Sequence, residues 1–366
     1  MAGTSPPRGT RRGRPLEPVA LISVTSADAA LGSGIRYPKL NTVPVVVNPL
    51  RFHRRRHSGG PMRRGVGLVL IALGAFLVTV APLARFWVAG QLAAFPLDQY
   101  SQATLEAQNA KYFSQSRVRM MNDVTIRATN TIRGDVTAGN NERAVWDQYT
   151  WVEDTTNNLP VQQSFRRVAF DRRTGEIINC CDEKIDTDTS VRQTGWGFVF
   201  PMGTKKQDYP FYDTAVRRAV PMRFIREEKL RGLDVYRFEQ RVPPTRTETR
   251  EVPGSLVGEP DKPSVQADMY VEAVRTYWVE PTVGSPVNIS DSRRQTFRVN
   301  GVERATVFLA DLKFTERTLS NAMTTAEDGK AQIRLVRDQV PIGALAGGAL
   351  LLLVGGVMMA TGRGRD

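Results

Sequence analysis

Two long apolar runs lie near the ends of this 366-residue chain, and they constrain it more than any other feature. Residues 65–88 read GVGLVLIALGAFLVTVAPLARFWV, and residues 340–360 read VPIGALAGGALLLLVGGVMMA. Each matches the ~20 apolar residues that cross a bilayer core as a helix. Nearly all the side-chain chemistry lies between them. The expected architecture is a membrane protein with two transmembrane helices, 65–88 and 340–360, and one large domain, 89–339, tethered at both ends. The first run exceeds the ~7–15-residue core of a signal peptide, and APLAR offers no small-x-small cleavage site, so it reads as a retained anchor.

Charge sets the expected orientation. Residues 1–64 hold twelve Arg and Lys against Glu17 and Asp28, which is +10 of the formal +13. The tail 361–366 adds Arg363 and Arg365 against Asp366. Basic residues beside a spanning helix stay cytoplasmic. Both termini are therefore expected in the cytoplasm, with the central domain exported across the cell (inner) membrane. The domain itself is left almost neutral, so the pI of 10.1 is no nucleic-acid footprint and no nucleic-acid partner is expected. Residues 1–64 are rich in Arg, Pro, Gly and Ser without periodicity, the composition of a disordered basic tail. Its arginines 51, 54, 55, 56, 63 and 64 suit anionic head groups, which makes membrane lipid an expected partner. An alternative expectation is that translation starts at Met62, since MRRGVGLVLIALGAF has the form of a signal anchor.

Between the runs the pattern is strand-rich. RVRMMNDVTIRATNTIR (117–133), AVWDQYTWVE (144–153), residues 161–170, LDVYRFEQRV (233–242) and RATVFLADLKF (304–314) combine β-branched and aromatic residues with flanking Gly, Asn and Asp. Tyr236, Phe238 and Val242 share a face at period two, as do Phe308, Ala310, Leu312 and Phe314. Such alternation predicts antiparallel sheet with one buried side. FDRRTGEIIN (170–179) and VEPTVGSPVN (279–288) both read strand, acid, three residues, Gly, strand, the form of a tight hairpin. The fold class expected from the pattern is mainly β: an antiparallel exported domain between two helices. Residues 97–112 read as a short helix or extended linker. Residues 316–339 read as a helix with a Leu319, Ala322, Met323, Ala326 stripe, weakened by Gly329 and running into the second apolar run. Residues 252–263 (VPGSLVGEPDKP) form a Pro/Gly-rich loop.

Composition narrows the chemistry. The only histidines are His53 and His57, outside the domain. Histidine triads and histidine metal sites are excluded there. No P-loop or Gly-rich dinucleotide motif occurs. No catalytic residue, cofactor or metal is assigned, and the chain is expected not to be an enzyme. The two cysteines, Cys180 and Cys181, are adjacent. Their Cα atoms are held about 3.8 Å apart, below the usual disulfide range. A strained vicinal disulfide, bridges between copies and two unpaired thiols all remain open. DEKIDTD (182–188) lacks the Gly and terminal Glu of a calcium loop and reads as a solvated turn. The pairs Arg166-Arg167 and Arg172-Arg173 read as outward sheet faces. The stretch 196–213, WGFVFPMGTKKQDYPFYD, concentrates aromatics. Trp196, Phe198, Phe200, Tyr209, Phe211 and Tyr212 are either core or the walls of an apolar ligand groove.

Several segments are similar to a known family. MRRGVGLVLIALGAFLVTVAPLARF, FPLDQ (95–99), VWDQYTWVEDT (145–155), VAFDRRTGEIINCC (168–181), AVPMRF (219–224) and GLDVYRFEQRVPPT (232–245), followed by the closing helix and second apolar run, resemble the actinobacterial porin PorA-like membrane proteins from residue 62 to 362. The resemblance implies a channel, in a family largely of unknown function, and supports a start at Met62. The abundance of Arg over Lys agrees with an actinobacterial source. YWVEPTVGSPV (277–287) also resembles the turn of lipoprotein carriers of the LolA and LppX type, whose half-barrel holds lipid, and this resemblance implies a curved or half-barrel-like sheet for the exported domain. The first functional expectation is a non-enzymatic cell-envelope protein whose exported β-domain binds or transfers a hydrophobic envelope ligand. A porin or channel-associated subunit is the alternative, and an envelope scaffold the second alternative. Gly343, Gly347, Gly348, Gly355 and Gly356 would let the second run pack closely on the first, on another copy or on another envelope protein.

Overall fold

A computed structural model of the chain describes residues 60–83, 85–86 and 94–361. The basic tail through residue 59 and residues 362–366 lie outside the described residues, and so do the expectations made for them.

The first apolar run forms α1 (Gly60–Leu83), starting earlier than read from hydropathy, with Pro82 inside it. Twelve strands follow: β1 (Tyr100–Ser114), β2 (Arg119–Gly134), β3 (Arg143–Asp154), β4 (Leu159–Asp171), β5 (Ile177–Ile178), β6 (Lys184–Ile185), β7 (Tyr209–Asp213), β8 (Arg218–Leu230), β9 (Leu233–Pro253), β10 (Ser264–Glu280), β11 (Ser285–Val299) and β12 (Val302–Phe314). The chain ends in α2 (Glu316–Arg334), a π-helical turn (Leu335–Gln339) and α3 (Val340–Thr361). Helices α1 and α3 are apolar and long enough to cross a membrane.

All strand pairings are antiparallel, in the order β5-β4-β3-β2-β1-β12-β11-β10-β9-β8-β7, with β6 also on β4. The sheet is a half-barrel of eleven successive strands. Both hairpins read from sequence form: Asp171–Gly175 turns β4 into β5, and Glu280–Gly284 turns β10 into β11.

The helix or linker expected at 97–112 is corrected by the structure. It is β1, the central strand, paired to β2 on one side and β12 on the other. Its composition (QATLEAQNAK) is helix-tolerant, but tertiary packing overrides such a weak prior. Leu105 and Ala107 are buried at period two, and a bulge at Asn109 (φ 54°) shifts the register so that Ala110 and Tyr112 continue the buried face.

The two sheet edges are joined. The residue after β5's edge contact is Gly195, whose carbonyl accepts from Ile177 N at 2.7 Å. Trp196 N then donates to Pro210 O at 2.9 Å, and Tyr212 N donates to Trp196 O at 2.6 Å. Gly195 and Trp196 thus pair one edge group of β5 and two of β7, groups of the kind that otherwise invite aggregation. Gly195 is at φ +75°, and a Cβ there would lie 2.0 Å from Pro210 O.

Helix α2 seats the sheet. Thr315 caps it, accepting from Thr318 N at 3.3 Å. Leu319, Met323 and Ala326 bury against Leu233, Val235 and Val287. Gly329, read as a weakness, admits Val283, whose Cγ1 would be 3.0 Å from an added Cβ. Glu280, fully buried in the β10–β11 turn, pairs with Lys330 at 3.3 Å and accepts from Val283 N at 2.9 Å. The turn and the helix are thereby tied together.

Candidate interior site

Period-two alternation sends every second strand residue into the concave face of the half-barrel. The inward set includes Ala273, Arg275, Tyr277 and Val279 on β10 and Ile289, Asp291 and Arg293 on β11. It closes around a cavity of about 350 Å³, within the size range of small-ligand pockets. One wall is apolar: Leu105, Ile289, Phe308, Leu312 and Phe314, built where β1 pairs β12 and β12 pairs β11.

The other side is polar and buried. Arg275 lies directly across from Gln240 on β9 and Asp291 on β11. Its Nη1 donates to Gln240 Oε1 at 2.9 Å and to the Asp213 carboxylate, and its Nε faces Asp291 Oδ2 at 3.3 Å. Asp213 Oδ1 meanwhile accepts from Ala215 N and Val216 N at 2.8 and 2.9 Å, closing the turn after β7. Asp291 Oδ2 also receives Arg293 Nη2 at 2.7 Å. Burial alone would raise both carboxyls, yet the Arg275 and Arg293 guanidiniums outweigh it and hold Asp213 and Asp291 below the usual carboxylate range. Burial likewise works against the charge on Arg275, and its two carboxylates hold its pKa above normal.

Arg166 was read with Arg167 as an outward pair, and the structure corrects this. Successive strand residues face opposite sides. Arg167 points out, to Asp135 at 2.6 Å and Asp147 at 2.8 Å, whereas Arg166 is 5% exposed and lines the cavity. Its Nε donates to Gln193 Oε1 at 2.7 Å and its Nη1 to Gly197 O at 3.3 Å. The guanidinium lies 4.8 Å from the Phe198 ring centroid and 5.5 Å from that of Tyr212. Nη2 has no hydrogen-bond partner.

The six aromatics named for a groove divide. Phe198, Phe211 and Tyr212 border the cavity. Phe200 and Tyr209 pack below it with Phe211, Met222, Phe238 and Val279, ring centroids of Phe200 and Phe238 being 4.7 Å apart. Trp196 packs against that cluster and donates to Thr174 O at 2.9 Å. Cys180 and Cys181 are joined to each other in a turn on the outer side of β4, where Arg167 Nε donates to Cys181 O at 2.9 Å. Sequence reasoning missed Gln240, Arg275, Asp291 and Arg166. For Gln240 and Arg275 a signal was present, a polar residue interrupting an apolar alternation (Phe238 and Val242; Ala273 and Tyr277), whereas the facing of Arg166 and Asp291 rested on strand register. A second, wider cleft of about 900 Å³ opens where the Pro281–Thr282 turn meets the helical stalk, lined by Arg85, Tyr236, Ile333 and Arg337.

The outer faces of the strands carry ion pairs such as Arg127–Glu106 at 2.8 Å and Arg294–Glu272 at 3.7 Å. A lipid-crossing barrel presents an apolar band there instead. The family model of Porin PorA matches residues 66–357. The chain belongs to the Porin PorA family. A protein named Porin PorA from Corynebacterium amycolatum is 24% identical over 300 residues, covering 62% of this chain and 76% of that protein. Another of that name, from Corynebacterium resistens, is 25% identical over 231 residues, covering 45% of this chain and 55% of that one. The family match covers most of both apolar helices and the whole half-barrel.

Proposed function

We propose that this Porin PorA family member is a non-enzymatic cell-envelope protein acting as a porin or channel-associated subunit. In this reading α1 and α3 cross the inner membrane, both termini are cytoplasmic, and the half-barrel stands outside the cytoplasm. Family membership over residues 66–357 carries it, together with relatives that bear the porin name. The ion-paired outer strand faces support a division of labour in which any membrane passage is formed by helices and the half-barrel meets the solute. Purified full-length protein reconstituted in planar bilayers is expected to give discrete conductance steps. Conductance indistinguishable from protein-free bilayers would sink the channel reading.

One observation favours a second reading, in which the half-barrel binds or hands on an envelope ligand. Its cavity has an apolar wall facing a charged one, the lining an amphiphile requires. Native mass spectrometry of the full chain is expected to show a mass excess that extracts into organic solvent. A clean apo mass would count against it.

A further inference from the structure

Three arginines and three aspartates line the cavity, and ion-pair geometry sets one arginine apart. Asp186 is exposed and accepts from Phe165 N at 2.8 Å, out of ion-pair reach of the arginines. Arg275 and Arg293 are matched by Asp213 and Asp291. Arg166 is not matched: its two hydrogen bonds go to neutral oxygens, and among the described residues no carboxylate pairs with it. A buried charge is costly unless paired, and this one is nine-tenths buried at a cavity wall. Burial pulls its pKa down to about 10, which still leaves it protonated at neutral pH. Gly197 is shaped to this group, since a Cβ there would sit 2.4 Å from Nη2. Gln193, fully buried, fixes the plane of the guanidinium by holding Nε while its own Nε2 donates to Arg167 O at 3.0 Å. The side chain is therefore preorganised at the cavity wall, with Nη2 unpartnered and packed against Gly197.

We propose that Arg166 is the anchor for an oxyanion, carboxylate or phosphate, borne by an amphiphile whose apolar part lies along Leu105, Ile289, Leu312 and Phe314. This rests on the ligand-binding reading of the half-barrel. A charge-assisted hydrogen bond contributes about 1.5–3 kcal/mol, roughly a tenfold to hundredfold in affinity.

The test is calorimetric titration of the full chain in zwitterionic nanodiscs, with empty nanodiscs subtracted. The probes are decanoate, decanol and inorganic phosphate. Decanoate is expected to bind at least tenfold tighter than decanol. Arg166→Met should erase that preference and Arg166→Lys should keep part of it. If Arg166→Met fails to fold, Gly197→Ala, which retains the charge but displaces Nη2, should reduce the preference instead. Phosphate binding that Arg166→Met abolishes supports the oxyanion site and points to a free anion as a source, whereas phosphate silence with tight decanoate points to a head group. Equal affinity for acid and alcohol, or a preference that survives both Arg166→Met and Gly197→Ala, overturns the proposal and leaves the ligand-binding reading standing. If no probe binds at all, both fail.

Discussion

Asp213 performs two tasks with one carboxylate: Oδ1 closes the turn after β7, and Oδ2 meets Arg275, 62 residues away. Removing one member of a buried pair costs more than the pair contributes, because the partner is left charged and unmatched. Asp213→Asn is expected to lower the unfolding free energy by about 3–5 kcal/mol, read as a shifted denaturation midpoint of the full chain in mild detergent. The linked pH effect has a definite sign. Asp213 and Asp291 have depressed folded pKa values, so their stabilisation is present above about pH 4, the ordinary carboxylate value, and is lost as pH falls through the folded values. Tyr112 works in the opposite sense. Burial, then its hydrogen bond to Asp154 at 3.1 Å and that carboxylate's charge, push its pKa up to about 12. Its contribution is full below about pH 10, the unfolded value, and disappears as pH rises toward 12. Thermal midpoints should therefore decline on both flanks, and Tyr112→Phe should make the alkaline decline shallower, the rest of it belonging to Tyr209, Tyr212 and Tyr277, which burial also raises. An unchanged alkaline limb in that variant would contradict the assignment.

At the scale of elements, close backbone approach explains which glycines matter. Gly74 faces Gly348 and Gly67 faces Gly355, so α1 and α3 pack antiparallel. A Cβ on Gly74 would lie 2.8 Å from Gly348 O, and one on Gly355 would lie 2.8 Å from Gly67 O. Gly343, Gly347 and Gly356 have nothing within contact range of an added Cβ. Gly348→Leu is expected to pry the helices apart and lower the unfolding midpoint by the equivalent of about 1–3 kcal/mol, while Gly347→Leu should be silent in the same assay. Equal effects of the two would mean that the pairing is wrong. The same reasoning applies to Gly329 of α2. The helix tolerates a poor helix former because Val283 of the β10–β11 turn occupies the space, and Glu280–Lys330 locks that contact.

For the whole molecule, the decisive feature is that Gly195 and Trp196 join the two edges of an eleven-strand row. A half-barrel open at both edges would splay, and its cavity would be a groove. Gly195→Val places a β-branched residue at φ +75°, which costs about 1–3 kcal/mol in backbone strain alone, and drives a side chain into Pro210 O. That variant is expected to expose β5 and β7. The measurement is hydrogen exchange, with Ile177 and Tyr212 amides losing protection while the α1–α3 pair is unaffected. Retained protection at both amides would show that the closure is dispensable.

Much of this was written in the chain order. Two apolar runs dictate two helices, because ~20 apolar residues without charges have few other stable environments. Alternation at period two dictates strands, and acid-x3-Gly turns dictate hairpins, because both are local properties of consecutive residues. Antiparallel β follows from those alone. Three things were decided only in three dimensions. The fate of residues 100–114 depended on two flanking strands, β2 and β12, that no local propensity could supply. The inward direction of Arg166 depended on register, since a shift of one residue exchanges the faces of a strand. The interior site itself joins Asp213, Gln240, Arg275 and Asp291 from β7, β9, β10 and β11. Strand order places them together, and no spacing along the sequence encodes strand order.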